Sequence, residues 1–305
     1  MTTESAFINL LRGFATDPSA RGLLDDAAVL ELGNQSIIVT HDMMAEGVHF
    51  RSNADPADVA WKLVASNLSD LAAKGAWPIG VLLGFMLGDD AWDRAFAAGL
   101  QKVLAHYAVP LLGGDTVTNC GDKRAVGMTA LGVATHHSVP SRGGAQDGDI
   151  LYVTGTLGDA LAGYELIDAG FDEVGPLADA FNRPVARVSD GRALAPIVHS
   201  MMDVSDGLLL DAERMASASQ MAIEIDLASI PLSAPYVSYR GGGRDSRIQA
   251  ASWGDDYQLL FTMPANAPSP VPATAVGRVM RGGGLTLCDG AESVPLPATL
   301  GYQHH

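Results

Sequence analysis

Short β-branched runs alternate with longer stretches of helical period along this 305-residue chain. Ser36-Ile37-Ile38-Val39-Thr40 reads as a buried strand that delivers His41 and Asp42 at its C-terminal end. Asp55 and Pro56 supply an N-cap and a first-turn proline. Apolar positions Val59, Leu63, Leu68 and Leu71 then carry a helix to a stop near Gly75 and Pro78. On that helix Asn67 and Asp70 are three residues apart and share a face. The pattern continues with a strand over 81–87, an Ala-rich helix over 91–106, a strand over 109–112 that runs into Gly113-Gly114-Asp115-Thr116, and a strand over 125–135.

A polar, Gly- and Pro-bearing stretch over 138–149 reads as a linker, so residues 1–137 form one expected domain and 150–305 another. The second half restarts with a strand over 150–154, a Gly155 and Gly158 turn and a helix over 159–169. Helical segments are expected over 185–197 and 208–218, and strands over 222–227, 257–263, 275–279 and 285–288. Both halves mix strands with helices, which predicts an α/β (α+β) chain of two domains, as its length also suggests.

Composition narrows the function. Hydrophobic residues at 48% are ample for a buried core, and 35 acidic against 19 basic residues give a formal charge of -16. That charge opposes nucleic acid and anionic membrane surfaces, so neither is an expected partner. Met1-Thr2-Thr3-Glu4-Ser5-Ala6 lacks the basic region and apolar core of a signal peptide, and no apolar run approaches spanning length, which gives a cytoplasmic expectation. Cys120 and Cys288 lie far apart with no CxxC, and read as incidental thiols.

The chemistry is concentrated in acids. Asp203-Val204-Ser205-Asp206-Gly207 sets two carboxylates and a hydroxyl between the apolar flanks Met201-Met202 and Leu208, with no Lys or Arg between Met201 and Leu210. Buried carboxylates repel each other and lose hydration unless a cation or donors neutralise them. Further acids stand in the same kind of context: Asp25-Asp26, Asp42, Asp70 and Asp115. Each alone reads equally as a turn or cap residue. Together they suit Mg²⁺, a hard cation shared between carboxylates and substrate phosphates. Gly113-Gly114-Asp115-Thr116 reads either as a phosphate-approaching turn or as a plain tight turn. Neither a Walker sequence nor GxGxxG is present, so phosphate handling falls to metal, turn backbone and scattered basic residues.

Six motifs occur in order: Asp25-Asp26-Ala27-Ala28-Val29, Thr40-His41-Asp42 to Gly47-Val48-His49-Phe50, Asn67-Leu68-Ser69-Asp70-Leu71-Ala72-Ala73, Gly113-Gly114-Asp115-Thr116, Val153-Thr154-Gly155-Thr156-Leu157-Gly158-Asp159, and Asp203 to Leu208. Through them the chain resembles the thiamine-monophosphate kinase family of the PurM-like (aminoimidazole-ribonucleotide-synthetase-like) superfamily. The resemblance implies ATP-dependent phosphorylation of thiamine monophosphate to thiamine diphosphate in the cleft between two domains. It also implies a homodimer whose N-terminal domains join in a β-barrel spanning both copies.

On the same basis Asp26, Thr40, His41, Asp42, Asp70, Asp115, Asp203 and Asp206 hold Mg²⁺, with Asp42, Asp115 and Asp206 central to catalysis. Gly114, Asp115, Arg142 and Ser205 contact ATP, and His49, Asp255 and Tyr302 lie toward the thiamine phosphate. Leu24 stands where the family carries Gly, Asp255 where it carries Glu, and the chain ends Gly301-Tyr302-Gln303-His304-His305 where a ring-stacking aromatic is expected. The rival readings are a sister ATP-dependent synthetase and a non-catalytic nucleotide-binding homologue.

Overall fold

The computed structural model describes residues 4–118, 121, 123–171 and 175–303; Cys120, His304 and His305 lie outside them. In the first half the order is α1 (Glu4–Arg12), β1 (Ala28–Leu32), β2 (Gln35–Ala45), α2 (Pro56–Ala73), β3 (Ala76–Leu87), α3 (Asp90–Tyr107), β4 (Leu111–Thr118) and β5 (Ala125–Ala134). In the second it is β6 (Asp149–Thr154), α4 (Asp159–Asp168), α5 (Pro176–Asn182), α6 (Val188–Leu194), β7 (Ser200–Val204), α7 (Leu208–Ser219), β8 (Ala222–Asp226), α8 (Ala234–Arg240), α9 (Arg244–Ala251), β9 (Gln258–Pro264), β10 (Ala273–Met280), β11 (Gly284–Asp289) and β12 (Glu292–Val294). Two mixed sheets result, β1-β2-β5-β3-β4 and β12-β11-β8-β10-β6-β9-β7.

Helix α2 organises the molecule. Asp55 accepts a 2.9 Å hydrogen bond from Ala57 N, and Pro56 opens the first turn. Both features satisfy a helix start that has no intrahelical partners for its first N–H groups. The helix is buried on nearly every side because it packs on β2, β5 and α3 of its own half and on α6 and β7 of the other. A helix sandwiched in this way needs no wide polar face. Gly191 of α6 makes one of these contacts possible, since a Cβ there would fall 1.9 Å from Ala72 O. Ile38, Leu63, Leu68 and Met128 centre one core, and Leu151, Met202, Leu209 and Leu260 another. A smaller cluster of Ala72, Ala73, Leu194, Met201 and Phe261 closes the seam between the halves.

Several expectations need correction. The 36–40 strand runs on to Ala45, so Asp42 is mid-strand rather than at a strand end. β3 starts at Ala76 and passes through Pro78, which is tolerated because the pairing register slips between Pro78 and Gly80. Gly113-Gly114-Asp115-Thr116 is neither kind of turn but part of edge strand β4, paired in parallel with β3. Gly114 is required by that pairing: a Cβ there would lie 1.9 Å from Leu83 O. The helix expected over 185–197 is shortened to α6. Between the halves, the Val139 and Pro140 carbonyls accept from Arg21, and Arg142 binds Asp26.

Candidate active site

The acids converge through strand alternation and helix period. Along β2, Ser36, Ile38, Thr40, Asp42 and Met44 face α2, whereas His41 and Met43 face outward. From α2, Ser66, Asn67, Ser69 and Asp70 meet them. Asn67 Oδ1 accepts from Asp42 N at 3.2 Å, and Thr40 Oγ1 donates to Asp70 Oδ2. From the other half, β7 delivers Asp203, whose Oδ2 accepts a 2.6 Å hydrogen bond from Ser69 Oγ. One oxygen each of Asp26, Asp70 and Asp203 lie within 4.8 Å of one another. The cluster thus straddles the seam.

Part of its charge is balanced by cations, some near in sequence and others far from the acids they meet. Lys74 Nζ, fully buried, lies 2.5 Å from Asp25 Oδ1 and 2.7 Å from Asp26 Oδ2, the second an ion contact without hydrogen-bond alignment. Arg142 binds Asp26 Oδ1 at 2.6 Å, and Arg214 binds Asp206 at 2.5 Å and Asp211 at 2.9 Å. Burial alone would raise the Asp25 pKa, but Lys74 and Arg21 bring it down to about 2. Asp70 and Asp203 behave oppositely. Burial and then repulsion from neighbouring acids, Asp42 first for Asp70 and Asp26 first for Asp203, push both well above the usual carboxylate range. Asp42 is raised by burial, and Asp211, behind Asp206, is raised to about 7 by burial and by Asp206.

A cavity of about 640 Å³ opens onto these acids and is lined by Asp42, Ser66, Asp70, Asp203, Ser205 and Asp206. His49, Lys62, Trp253, Asp255, Tyr257 and Tyr302 line it as well. His49 Nδ1 accepts from Ala45 N at 3.1 Å, and Tyr302 N donates to Asp206 O at 2.9 Å, bringing the C-terminal segment over the Asp206 turn.

The structure therefore assembles Asp26, Thr40, Asp42, Asp70, Asp203 and Asp206, together with Ser205, His49, Asp255 and Tyr302. Three expected site residues lie apart from that group. His41 turns its ring outward onto Thr129 Oγ1 at 2.9 Å, leaving only its carbonyl on the strand. Gly114 and Asp115 lie on β4, exposed and three strands from β2, roughly 14 Å at the usual strand spacing. Sequence reasoning missed Lys62, Ser66, Ser69, Lys74, Arg214 and Asp211. The available signal was a Lys or Ser set inside an otherwise apolar helix, which requires a buried partner.

Comparison with known proteins decides the family. Residues 24–134 match the AIR synthase related protein N-terminal domain, and 146–263 match its C-terminal domain. The chain is 36% identical over 309 residues to the thiamine-monophosphate kinase of Caulobacter vibrioides, covering 94% of this chain and 86% of that one. It belongs to the thiamine-monophosphate kinase family. The family enzyme of Haemophilus influenzae is 34% identical over 282 residues, covering 84% of this chain and 85% of its own. Among solved structures, AaThiL complexed with AMPPCP and TMP superposes with a TM-score of 0.89 at 30% identity, covering 99% of this chain and 97% of that one. The thiamine-monophosphate kinase of Stenotrophomonas maltophilia K279a gives 0.77 at 33% identity, covering 92% and 94%. The expected enzyme, an ATP-dependent thiamine-monophosphate kinase with a two-domain PurM-like fold, stands. No helix among the described residues is long and apolar enough to cross a membrane.

Proposed function

We propose that this chain transfers the γ-phosphoryl group of ATP directly, in line, to the phosphate of thiamine monophosphate at the seam between its halves. The observation that carries this reading is the meeting of Asp26, Asp70 and Asp203 oxygens within 4.8 Å across that seam. Asp70 and Asp203 are disfavoured as anions where they stand, and Asp26 Oδ2 lacks an aligned donor. A donor set of buried, crowded carboxylate oxygens fits Mg²⁺. Asp26, Asp70 and Asp203 would hold it, with Asp42, Asp206 and Thr40 beside them; when bound, it screens phosphate charge and orients the two substrates.

The residues do the rest by position. The acceptor oxygen belongs to a phosphate monoester that is largely ionised at neutral pH, so no side chain has to remove its proton. The work is to bring two anions together in line, and it falls to the acid end of the cavity and to Ser205 and Arg142 on the nucleotide side. His49, Asp255 and Tyr302 take the thiamine side of the same cavity. Residues 1–137 and 150–305 act as the two domains, with 138–149 as their tether.

The assembly is a homodimer in the cytoplasm. Its support is the outer face of the first sheet, where Met43, Leu82 and Trp77 are exposed, and the edge strand β4, exposed along its length. A second copy joining there would form the shared barrel, and Gly114 and Asp115 would serve the partner's nucleotide. Mixing Asp115→Asn with Asp42→Asn chains tests this, because one site of the heterodimer then carries neither change. Restored activity is expected; two inactive variants that stay inactive when mixed, with exchange verified, refute the shared site. The activity itself is tested with γ-labelled ATP and thiamine monophosphate in Mg²⁺. Label in thiamine diphosphate is expected, and label released only as free phosphate would refute the kinase reading.

A further inference from the structure

Lys62 is the one Lys or Arg among the described residues lining the main cavity, which also holds Asp42, Asp70, Asp203, Asp206 and Asp255. It stands on the same stripe of α2 as Ser66 and Asp70, four and eight residues before them, so it lies about 12 Å along the helix axis from Asp70. Its ammonium crosses the seam. Nζ lies 2.8 Å from Asp255 Oδ2 and 3.8 Å from the centroid of the Phe181 ring, with the side chain only 5% exposed.

Asp255 is aimed at this cation by an unusual loop. Asp255 and Tyr257 both hold left-handed backbone, with φ of 66° and 48°, which side-chain-bearing residues seldom adopt. They are kept there by Asp255 N donating to Ser205 O at 2.9 Å and Tyr257 N donating to Val204 O at 2.8 Å. Tyr257 Oη donates to Asp255 Oδ1 at 3.1 Å, so both carboxylate oxygens are occupied. Gly254 is needed in the same turn, because a Cβ would fall 2.2 Å from Ser205 O. The loop therefore locks onto the Asp203-Ser205 segment and presents Asp255 to the helix of the other half.

Building on the proposed function, we infer that Lys62 is a positioning residue for the phosphoryl acceptor. It fixes the Asp255 carboxylate, which the proposed function assigns to the thiamine side of the cavity, and so governs affinity for thiamine monophosphate rather than for ATP. Aspartate is one methylene shorter than glutamate, and a cation held against Phe181 fixes where so short an acid points.

Steady-state kinetics of the full chain test this with Lys62→Met, Lys62→Arg, Asp255→Asn and the double variant Lys62→Met/Asp255→Asn. Lys62→Met is expected to raise the KM for thiamine monophosphate roughly tenfold or more while that for ATP moves less than about twofold. Lys62→Arg, which keeps the charge and guards against loss of fold, should recover most of the affinity. The double variant should be no worse than Lys62→Met, because both changes break one relay. An unmoved KM for thiamine monophosphate in Lys62→Met, an equal rise in both KM values, or additive losses in the double variant would overturn the inference alone. Wild-type protein that does not phosphorylate thiamine monophosphate would overturn the functional reading and this inference with it.

Discussion

Ser69 on α2 donates a 2.6 Å hydrogen bond to Asp203 on β7, joining the two halves at the most crowded point of the acid cluster. Both residues are buried, and the hydroxyl is a neutral donor that relieves Asp203 without bringing a charge that would compete with a bound cation. Removing it leaves a buried carboxylate oxygen short of a partner. Ser69→Ala should therefore lose about 1–3 kcal/mol of stability, read by denaturant unfolding at neutral pH without divalent metal. A change under a few tenths of a kcal/mol would mean that water replaces the hydroxyl at no cost.

Asp70 and Asp203 should separate stability from activity. Each has its folded pKa above its unfolded value, so the native state binds the proton more tightly and stability declines as pH rises from near 3.8 toward the folded pKa. Asp70→Asn and Asp203→Asn remove that decline and should stabilise the metal-free protein at pH 7. Both should lower turnover by roughly a hundredfold or more, since they withdraw charge from the phosphate end of the cavity. The melting temperature of the wild type should rise with added Mg²⁺ more than that of either variant. Equal gains in all three would argue against this cluster as the metal site.

Lys74 carries the opposite sign. Asp25 titrates at about 2 in the folded state against an ordinary 3.8, so the stability it contributes is complete above the unfolded value and is lost as pH falls from near 4 toward 2. Lys74→Met strands Asp25 and Asp26 beside a neutral neighbour, leaving only Arg21 and Arg142 to balance them. A loss of about 3–5 kcal/mol at pH 7 is expected, shrinking in acid as the carboxylates protonate. Urea titrations at pH 7 and pH 3 measure both effects.

Gly191 tests the seam by packing alone. A Cβ at this position would overlap Ala72 O at 1.9 Å, so Gly191→Ala must move α6 away from α2. Its greater helix propensity favours the variant by about 1 kcal/mol, yet a net loss of about 1–3 kcal/mol is expected because backbone has no flexible end to yield. A more stable variant would show that the seam relaxes freely.

Much of this protein is legible in its sequence, for identifiable reasons. The cap at Asp55 and Pro56, the apolar period of α2 and the β-branched run of β2 are local signals, and the elements form where those signals lie. The acids could be picked out because a carboxylate against an apolar run is costly anywhere. Local chemistry does not say which acid is answered by which distant cation or donor. Lys74 reaches Asp25 across 49 residues, Lys62 reaches Asp255 across 193, and Ser69 reaches Asp203 across 134.

The same limit explains the misread elements. Gly113-Gly114 has the composition of a turn, but pairing with β3 makes it a strand, and Gly114 is glycine because Leu83 O leaves no room for a Cβ. His41 is adjacent to Asp42 in sequence, yet the two-residue period of a strand sends its ring to the opposite face. Sequence alone thus determined many of the elements, the acidic character of the site and the family resemblance, all of which depend on residue type and near neighbours. Only the tertiary structure decided which carboxylates meet, which are already neutralised and which remain crowded, because those outcomes depend on distances set by packing two sheets around one buried helix.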